Sequence, residues 1–423
     1  MIKSLLEKLK ESASDRILIN PQVLSDKYLP DNLLFREKEM EEIGKYFVDF
    51  MLQGILTNLF IWGPTGTGKT HAIQILVRDY NDLARRDGIP SRAVYVNAKG
   101  KTYYQAIVSL LHNLGIDFPV RGLGVAEALQ ALDKFFETTK ESFVIVFDEL
   151  DKMKQSVMRK EDSVDSLIYM MSRLDEMASK PDVLLVIISN DNTLLKRLKE
   201  PTMSKFRPVP IYFRDYNANE LKAILMDRVE KAFIPGSVDE AAISLLAALI
   251  KREGRDLRWA FRVLLQAARG KRKGEKVTEA DIWRARESVD KDVLKETLNN
   301  LNQHQLMFLW AIALLRSREV PAMSGYVYQI YKALCDENDI LPYTMRHLTH
   351  YIGVKLETLG LITAKESYYR NSRGRALEFN TTEDPTTILF LTKELLKRKF
   401  EINVDKLSVW ANAFLDRITY GLK

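Results

Sequence analysis

Eight consecutive residues carry the clearest chemical signal in the sequence, a glycine-rich loop that ends in a lysine and a threonine. The loop comprises Gly63, Pro64, Thr65, Gly66, Thr67, Gly68, Lys69 and Thr70. It matches the phosphate-binding pattern in full. Glycines let backbone N–H groups curl around phosphate oxygens. We expect Lys69 to reach the β- and γ-phosphates and the Thr70 hydroxyl to ligate Mg²⁺. The pattern predicts a site for ATP or ADP with Mg²⁺.

Two acidic residues stand at the end of a strongly apolar run. Residues 143–147 read FVIVF, and Asp148 and Glu149 come next. Carboxylates in such a place are costly unless a cation is near. We therefore expect Asp148 to hold Mg²⁺ and Glu149 to polarise the attacking water. Asn190, after the apolar run 183–189, could orient that water, although asparagine is also common in turns that end strands.

These side chains need a scaffold, and the chain from 57 to 212 alternates short apolar runs with amphipathic stretches. The runs are rich in Val, Ile and Phe and cover residues 59–62, 93–96, 143–147, 183–189 and, more weakly, 209–213. Such runs are typical of buried parallel strands. The pattern predicts an α/β doubly wound domain, residues 1–213.

After Tyr216 the strand pattern stops, and helical spacing takes over. It covers residues 219–233, 239–252, 257–268 and 279–289. This predicts an all-helical domain, residues 214–295. Three more helices follow, at 306–315, 324–337 and 344–359, and then two short strands at 361–369 and 375–380. That order is typical of a winged helix-turn-helix, so residues 296–423 are predicted to form a third domain.

Composition excludes several other classes of protein. The chain has 423 residues, of which 28% are charged, a net charge of +6 and one cysteine, Cys335. No apolar stretch approaches the roughly 18 residues that a membrane span needs, so we expect no membrane partner and a cytoplasmic location. Residues 251–276 hold ten basic and three acidic side chains, a local charge of +7. Such a block marks either a polyanion partner or a solvated helix face.

The motifs together resemble those of the AAA+ initiator ATPases, and in particular the archaeal origin-recognition and cell-division-control proteins. The similarity runs from about residue 28 to about residue 380. Residues 189–191 match the family's sensor 1 motif, and Asp256-Leu257-Arg258 resembles its sensor 2 motif. The resemblance implies an AAA+ ATPase base with a helical lid and a C-terminal winged helix. The catalytic set that it implies is Lys69, Asp148, Glu149, Asn190 and Arg258.

The resemblance also implies residues that border the nucleotide or touch DNA. Besides the loop itself, those bordering the nucleotide are Leu29, Pro30, Arg36, Tyr216, Arg228 and Arg258. An extra helical element that touches DNA in the family corresponds to residues 116–124, with Arg121 as its candidate contact.

One departure from the family concerns hydrolysis. Initiators usually carry an arginine after an acidic residue and a proline, and this arginine reaches the ATP of a neighbouring subunit. Here the sequence reads Glu200-Pro201-Thr202. Threonine cannot act as an arginine finger, and Arg197 and Arg207 are the possible substitutes. The sequence therefore predicts a weak ATPase whose ATP binding is unaffected.

The predicted winged helix offers two basic surfaces. Arg346, His350 and Lys355 can project outward from the helix at 344–359, which in such a motif enters the major groove. The turn between the two strands carries Arg370, Arg373 and Arg375, and a short basic turn can reach phosphates or a minor groove. Winged helices also mediate protein contacts, so the fold alone does not decide the partner.

The sequence thus favours an ATP-binding replication initiator that recognises and deforms origin duplex DNA. Its implied partners are other initiator subunits or paralogues and the replicative helicase, and its implied location is the nucleoid. The alternative is an ATP-responsive transcription regulator related to initiators, to which Thr202 lends weight.

Overall fold

A computed structural model describes residues 15–154, 164–173, 182–367, 376–405 and 408–421 of the chain. The chain divides into two compact units, Met1–Ala285 and Arg286–Lys423. Among the described residues, no helix is both long and apolar enough to cross a membrane.

A five-stranded parallel sheet is the centre of the first unit. Its strands are β1 (Leu59–Trp62), β2 (Ser91–Asn97), β3 (Ser142–Asp148), β4 (Val183–Ser189) and β5 (Val209–Tyr212), in the order β2-β3-β4-β1-β5. All seven residues of β4 are buried, because helices cover both faces of the sheet. The register pairs Asn97 with Asp148 and Trp62 with Ser189. The carboxyl ends of four strands therefore lie along one edge.

In the described residues of the first part of this unit, six helices accompany the sheet. They are α1 (Glu37–Gln53), α2 (Lys69–Asp87), α3 (Tyr103–Leu114), α4 (Val125–Thr138), α5 (Val164–Met171) and α6 (Glu200–Phe206). The prediction of a helical element at 116–124 was wrong, because these residues form an irregular loop between α3 and α4. Gly115 ends α3 in a left-handed conformation, with φ of 90°, and Pro119, Gly122 and Gly124 interrupt further helix.

The helices beyond the sheet confirm the all-helical prediction. They are α7 (Ala218–Ala232), α8 (Glu240–Glu253), α9 (Leu257–Ala267) and α10 (Glu279–Asn299). Asn217 begins α7 in a capping box with Glu220, and the Asp256 side chain accepts a hydrogen bond from the Trp259 N–H at the start of α9. These caps satisfy backbone donors that a helix start leaves open.

The second unit has the predicted order of three helices and a hairpin. Its helices are α11 (Gln303–Ser317), α12 (Ser324–Asp336), α13 (Met345–His347), α14 (Val354–Thr358), α15 (Pro385–Phe400) and α16 (Ser408–Gly421). Its strands are β6 (Ala322–Met323), β7 (Ile362–Ser367) and β8 (Ala376–Thr381). The strands form an antiparallel sheet in the order β6-β8-β7. Sequence reasoning missed β6, because a two-residue strand has no periodicity.

The helical segment 345–358 differs from the single α-helix that the spacing predicts. Met345–His347 (α13) and Val354–Thr358 (α14) are separated by a π-helical turn, Leu348–Gly353. In an ordinary helix, Met345, Leu348, Ile352, Leu356 and Leu359 would share one face. Leu348, Ile352 and Leu356 are buried, whereas Met345 and Leu359 are 39% and 38% exposed.

Candidate nucleotide site and nucleic-acid surface

A cavity of about 290 Å³ lies where the strand ends meet the helices α7 and α9. Most of the predicted nucleotide residues line it: Pro30, Thr65, Gly66, Thr67, Gly68, Lys69, Thr70, Asp148, Glu149, Asn190, Tyr216, Arg228 and Arg258. Leu29, Arg36, Gly63 and Pro64 do not line it. The structure therefore brings together residues from seven separate parts of the sequence.

The glycine loop fits closely against its surroundings. Gly63 has φ of 148°, and a Cβ there would lie 2.2 Å from the Phe213 carbonyl oxygen. Gly66 has φ of 83°, and its Cβ would lie 2.8 Å from the Cβ of Asp256. Only glycine adopts these conformations without strain. The loop is thus an open cradle of backbone, as phosphate binding requires.

Lys69 stands at the centre of this cradle, in the first turn of α2. Its Nζ donates hydrogen bonds to the carbonyl oxygens of Gly63 and Pro64, each at 2.7 Å. Burial lowers the pKa of Lys69 to about 8. A buried ammonium gains more from an anionic partner than from neutral carbonyls, so the site suits a phosphate group.

Asp148 collects three hydrogen bonds at the end of β3. Its Oδ2 accepts from the hydroxyls of Thr70 and Tyr95, both at 2.7 Å, and its Oδ1 accepts from the Glu149 N–H. Burial raises the pKa of Asp148. A hydroxyl beside a buried carboxylate is the donor set that Mg²⁺ takes when phosphate oxygens and water supply its other ligands.

The metal would need ligands from outside the protein. Among the described residues, no group of three or more His, Cys, Asp and Glu side chains is arranged to hold an ion. Magnesium commonly binds through one or two protein ligands plus phosphates. Thr70 and Asp148 together fit that mode of binding. They do not form a site in which protein side chains supply every ligand.

Glu149 and Asn190 follow the ends of β3 and β4. Glu149 has a left-handed backbone, with φ of 54°, and its carboxylate lies 3.3 Å from Lys152 and 3.7 Å from Lys99. Asn190 follows β4, and its backbone N–H donates to Asp151 at 3.2 Å. Both residues line the cavity.

Two arginines reach the cavity from the helical lid. Arg228 is 6% exposed, and its guanidinium carbon lies 4.5 Å from the ring centre of Tyr28 and 5.5 Å from that of Phe261. One terminal nitrogen, Nη1, is buried and has no hydrogen-bond partner among the described residues. Arg258 is more exposed and pairs with Asp256 at 3.0 Å. A buried cation with an open N–H is suited to an anionic ligand.

Arg36 lies behind the loop and not in the cavity, which corrects its expected position. It is fully buried, and it donates to the Thr67 carbonyl oxygen at 2.8 Å and forms an ion pair with Glu39 at 2.9 Å. Its guanidinium also lies 4.0 Å from the ring centre of Tyr216. Arg36 therefore supports the loop from beneath. Leu29 is half-buried and likewise outside the cavity.

Sequence reasoning missed several cavity residues. They are Asp26, Asn32, Leu33, Leu34, His71, Asn97, Lys99, Ile224, Asp227, Leu257 and Phe261. Burial and the charges of Arg228 and Arg258 lower the pKa of His71, so a neutral imidazole adjoins the lid. Asn97 carried a usable signal, because it is the polar residue that ends β2.

Thr202, the residue in the place of the arginine finger, is buried in α6 and 1% exposed. Of the possible substitutes, Arg197 forms an ion pair with Asp191 at 2.5 Å, and Arg207 is exposed at the end of α6. Thr202 therefore cannot be presented to a neighbouring molecule in this conformation.

Three of the six predicted DNA residues of the second unit lie on one exposed segment. Arg346, His350 and Lys355 are all exposed. Tyr351 and Val354, which are 68% and 53% exposed, lie among them. Arg370, Arg373 and Arg375 lie outside the described residues. In the first unit, Arg121 is exposed in the loop between α3 and α4.

Comparisons with known protein families match three consecutive stretches of the chain. Residues 59–211 match the ATPase family associated with various cellular activities (AAA). Residues 222–287 match the Cdc6 AAA+ ATPase-type lid domain, and residues 296–390 match the CDC6 C-terminal winged helix domain. The chain thus carries an AAA+ ATPase domain.

Curated relatives match over nearly the whole length. The ORC1-type DNA replication protein of Thermococcus kodakarensis is 32% identical over 87% of this chain and 89% of its own length. That of Pyrococcus horikoshii is 31% identical over 90% of this chain and 91% of its own length. The chain belongs to the ORC1-type DNA replication protein family. The resemblance and the fold class predicted from the sequence are confirmed.

A solved structure of an archaeal ORC1 protein is similar to this chain. The Aeropyrum pernix ORC1 protein in complex with DNA is similar with a TM-score of 0.80 and 28% sequence identity. The match covers 89% of this chain and 97% of that one.

Proposed function

We propose that the chain is an ATP-binding replication initiator that recognises and bends origin duplex DNA. The observation that carries the proposal is its similarity, along nearly the full chain, to an ORC1 protein solved in complex with DNA. The bound nucleotide acts as a switch, since one cavity is lined by both the phosphate loop and lid residues such as Arg228 and Arg258. A ligand that contacts both parts can favour one lid position over another.

In the proposed site, ATP lies in the cavity with its phosphates on the loop. Lys69 binds the β- and γ-phosphates, and Thr70 and Asp148 hold Mg²⁺, which neutralises charge on the phosphate oxygens when bound. Glu149 polarises the attacking water, and Asn190 orients it. Arg258 and Arg228 contact the nucleotide from the lid, while Arg36 keeps the loop in place through Thr67.

Hydrolysis in the proposed switch is slow. The threonine at position 202 supports this, because a neighbouring subunit would receive no arginine from that position. Arginine fingers accelerate phosphoryl transfer by about 10³–10⁵. The chain would then remain in the ATP-bound state for long periods between turnovers.

Three surfaces contact duplex DNA in this proposal. The segment 345–358 enters the major groove with Arg346, His350 and Lys355, and Arg121 contacts DNA from the first unit. The basic turn with Arg370, Arg373 and Arg375 meets the backbone. The other proposed partners are further initiator subunits or paralogues and the replicative helicase. The proposed location of the protein is the cytoplasm, in association with the nucleoid.

Mapping of the protein on genomic DNA tests the initiator role. Chromatin immunoprecipitation should place the bound sites at a replication origin. Clustering at promoters would instead support the transcription regulator, which the burial of Thr202 also allows.

Binding curves at several salt concentrations test the two DNA surfaces. Arg373→Ala should weaken binding to all duplexes alike and lower the salt slope by about one unit. Arg346→Ala should lose about 1–3 kcal/mol on the preferred duplex, if it contacts a base, and much less on random DNA. Affinities unchanged in both variants would exclude the winged helix as the DNA-binding module.

A further inference from the structure

Tyr95 makes a contact that the proposed chemistry has not used. It lies on β2, and its hydroxyl donates to Asp148 Oδ2 at 2.7 Å, the same oxygen to which Thr70 donates at 2.7 Å. The register of β2 and β3 pairs Tyr95 with Val146 and Asn97 with Asp148. Since side chains two residues apart share a face of a sheet, Tyr95 and Asp148 lie on the same face. Tyr95 does not line the cavity.

The surroundings of Tyr95 keep its hydroxyl a neutral donor. Burial and the charge of Asp148 both raise the pKa of Tyr95. The neutral hydroxyl donates to one oxygen of Asp148.

The role of this contact follows from what a carboxylate beside a metal needs. In the structure, two side-chain hydroxyls hold Asp148 Oδ2. A threonine hydroxyl has two lone pairs besides its proton, so Thr70 can ligate an ion while it still donates to Oδ2. Tyr95 is the second side-chain donor to this oxygen, and it has no other part in the proposed metal site. Carboxylates beside metals are commonly fixed in this way, and loss of such a partner weakens metal binding about 10–100-fold.

We propose that Tyr95 is a positioning residue for magnesium, which it serves by fixing the Asp148 carboxylate. This inference rests on the Mg²⁺–ATP site of the proposed function. Tyr95 touches neither nucleotide nor metal in this role. Its removal should therefore change the Mg²⁺ requirement for ATP binding and leave metal-free ATP binding as it was.

The test is a titration of Mg²⁺ into protein mixed with a fluorescent ATP analogue, with wild type and Tyr95→Phe compared. The substitution keeps the ring and its packing and removes the hydroxyl. We expect the Mg²⁺ concentration at half-saturation to rise about tenfold or more. In EDTA, both proteins should bind the analogue within twofold of each other.

Tyr80→Phe is the matched control. Tyr80 is a buried tyrosine of α2 whose hydroxyl contacts Ser91 at the start of β2. This change removes a tyrosine hydroxyl from the same helix–sheet contact without touching Asp148. Its Mg²⁺ titration should match that of the wild type, as should its affinity in EDTA.

Two results would overturn the inference while the proposed site stands. One is an unchanged Mg²⁺ titration in Tyr95→Phe, and the other is an equal loss of affinity with Mg²⁺ and with EDTA, which would indicate a structural role. A wild-type protein that binds the analogue equally well with and without Mg²⁺ would instead refute the metal assignment itself, and the inference with it.

Discussion

Replacement of Arg228 by methionine separates ligand binding from fold stability. Arg228 is buried, and within the described part of the chain its Nη1 has no hydrogen-bond partner. ATP would bring phosphate oxygens into the cavity that Arg228 lines. A hydrogen bond to a charged group contributes about 1.5–3 kcal/mol. We therefore expect Arg228→Met to weaken ATP binding about ten- to a hundredfold.

The free protein should tolerate the same change. Relief of the unpartnered N–H favours the variant by about 1–3 kcal/mol. Loss of the cation contacts to Tyr28 and Phe261, at 4.5 and 5.5 Å, opposes this by about 0.5–1 kcal/mol each. The two effects nearly cancel. At about 2–4 °C per kcal/mol for a large domain, the melting temperature without nucleotide should move by less than about 5 °C.

Thermal melting with and without ATP, together with titration of fluorescent ATP, measures both effects. Arg214→Met is the control, because Arg214 pairs with Glu220 at 2.6 Å near the lid entry and does not line the cavity. It should keep the wild-type affinity. Equal ATP affinity in Arg228→Met would refute the binding role. A fall of more than about 10 °C without nucleotide would show that Arg228 serves the fold instead.

Three further substitutions test the rest of the site. Lys69→Ala should weaken binding of fluorescent ATP about ten- to a hundredfold, or roughly 1.5–3 kcal/mol; equal affinity would exclude the loop as the phosphate site. Glu149→Gln should still bind ATP in that titration and should lose most of the residual rate of phosphate release. Fast turnover that is the same in wild type and variant would contradict both the role of Glu149 and the absence of an arginine finger. Gly63→Ala puts a Cβ 2.2 Å from the Phe213 carbonyl oxygen, so its melting temperature should fall by several degrees. A variant as stable as wild type would show that the loop relaxes freely.

Local sequence was sufficient for the parts of the site that are contiguous in the chain. The loop that ends in Lys69 and Thr70 needs a strand before it and a helix after it, and periodicity shows both. Asp148 directly follows an apolar run, so its place at a strand end could be predicted. The π-turn Leu348–Gly353 could not, because its sequence still has the spacing of an ordinary helix.

Residues far apart in the chain required the tertiary structure. Arg36 was expected to border the nucleotide, and the fold places it under the loop, where it holds the Thr67 carbonyl oxygen. No local sequence pattern distinguishes an arginine that borders the nucleotide from one that lies under the loop, because either can lie near a phosphate loop. The loop at 116–124 likewise shows that a resemblance transfers residue types more reliably than backbone conformation.

The sequence by itself determined the general succession of strands and helices along the chain, the phosphate loop and the position of the two carboxylates after a strand. Each of these features depends on neighbours a few residues away. The tertiary structure decided which distant groups meet. Parallel register brings Tyr95 to Asp148, and packing of the lid brings Arg228 to Tyr28, two hundred positions earlier in the chain. Such contacts depend on the fit of whole elements against one another, and hydrophobic periodicity specifies only which face of each element is buried.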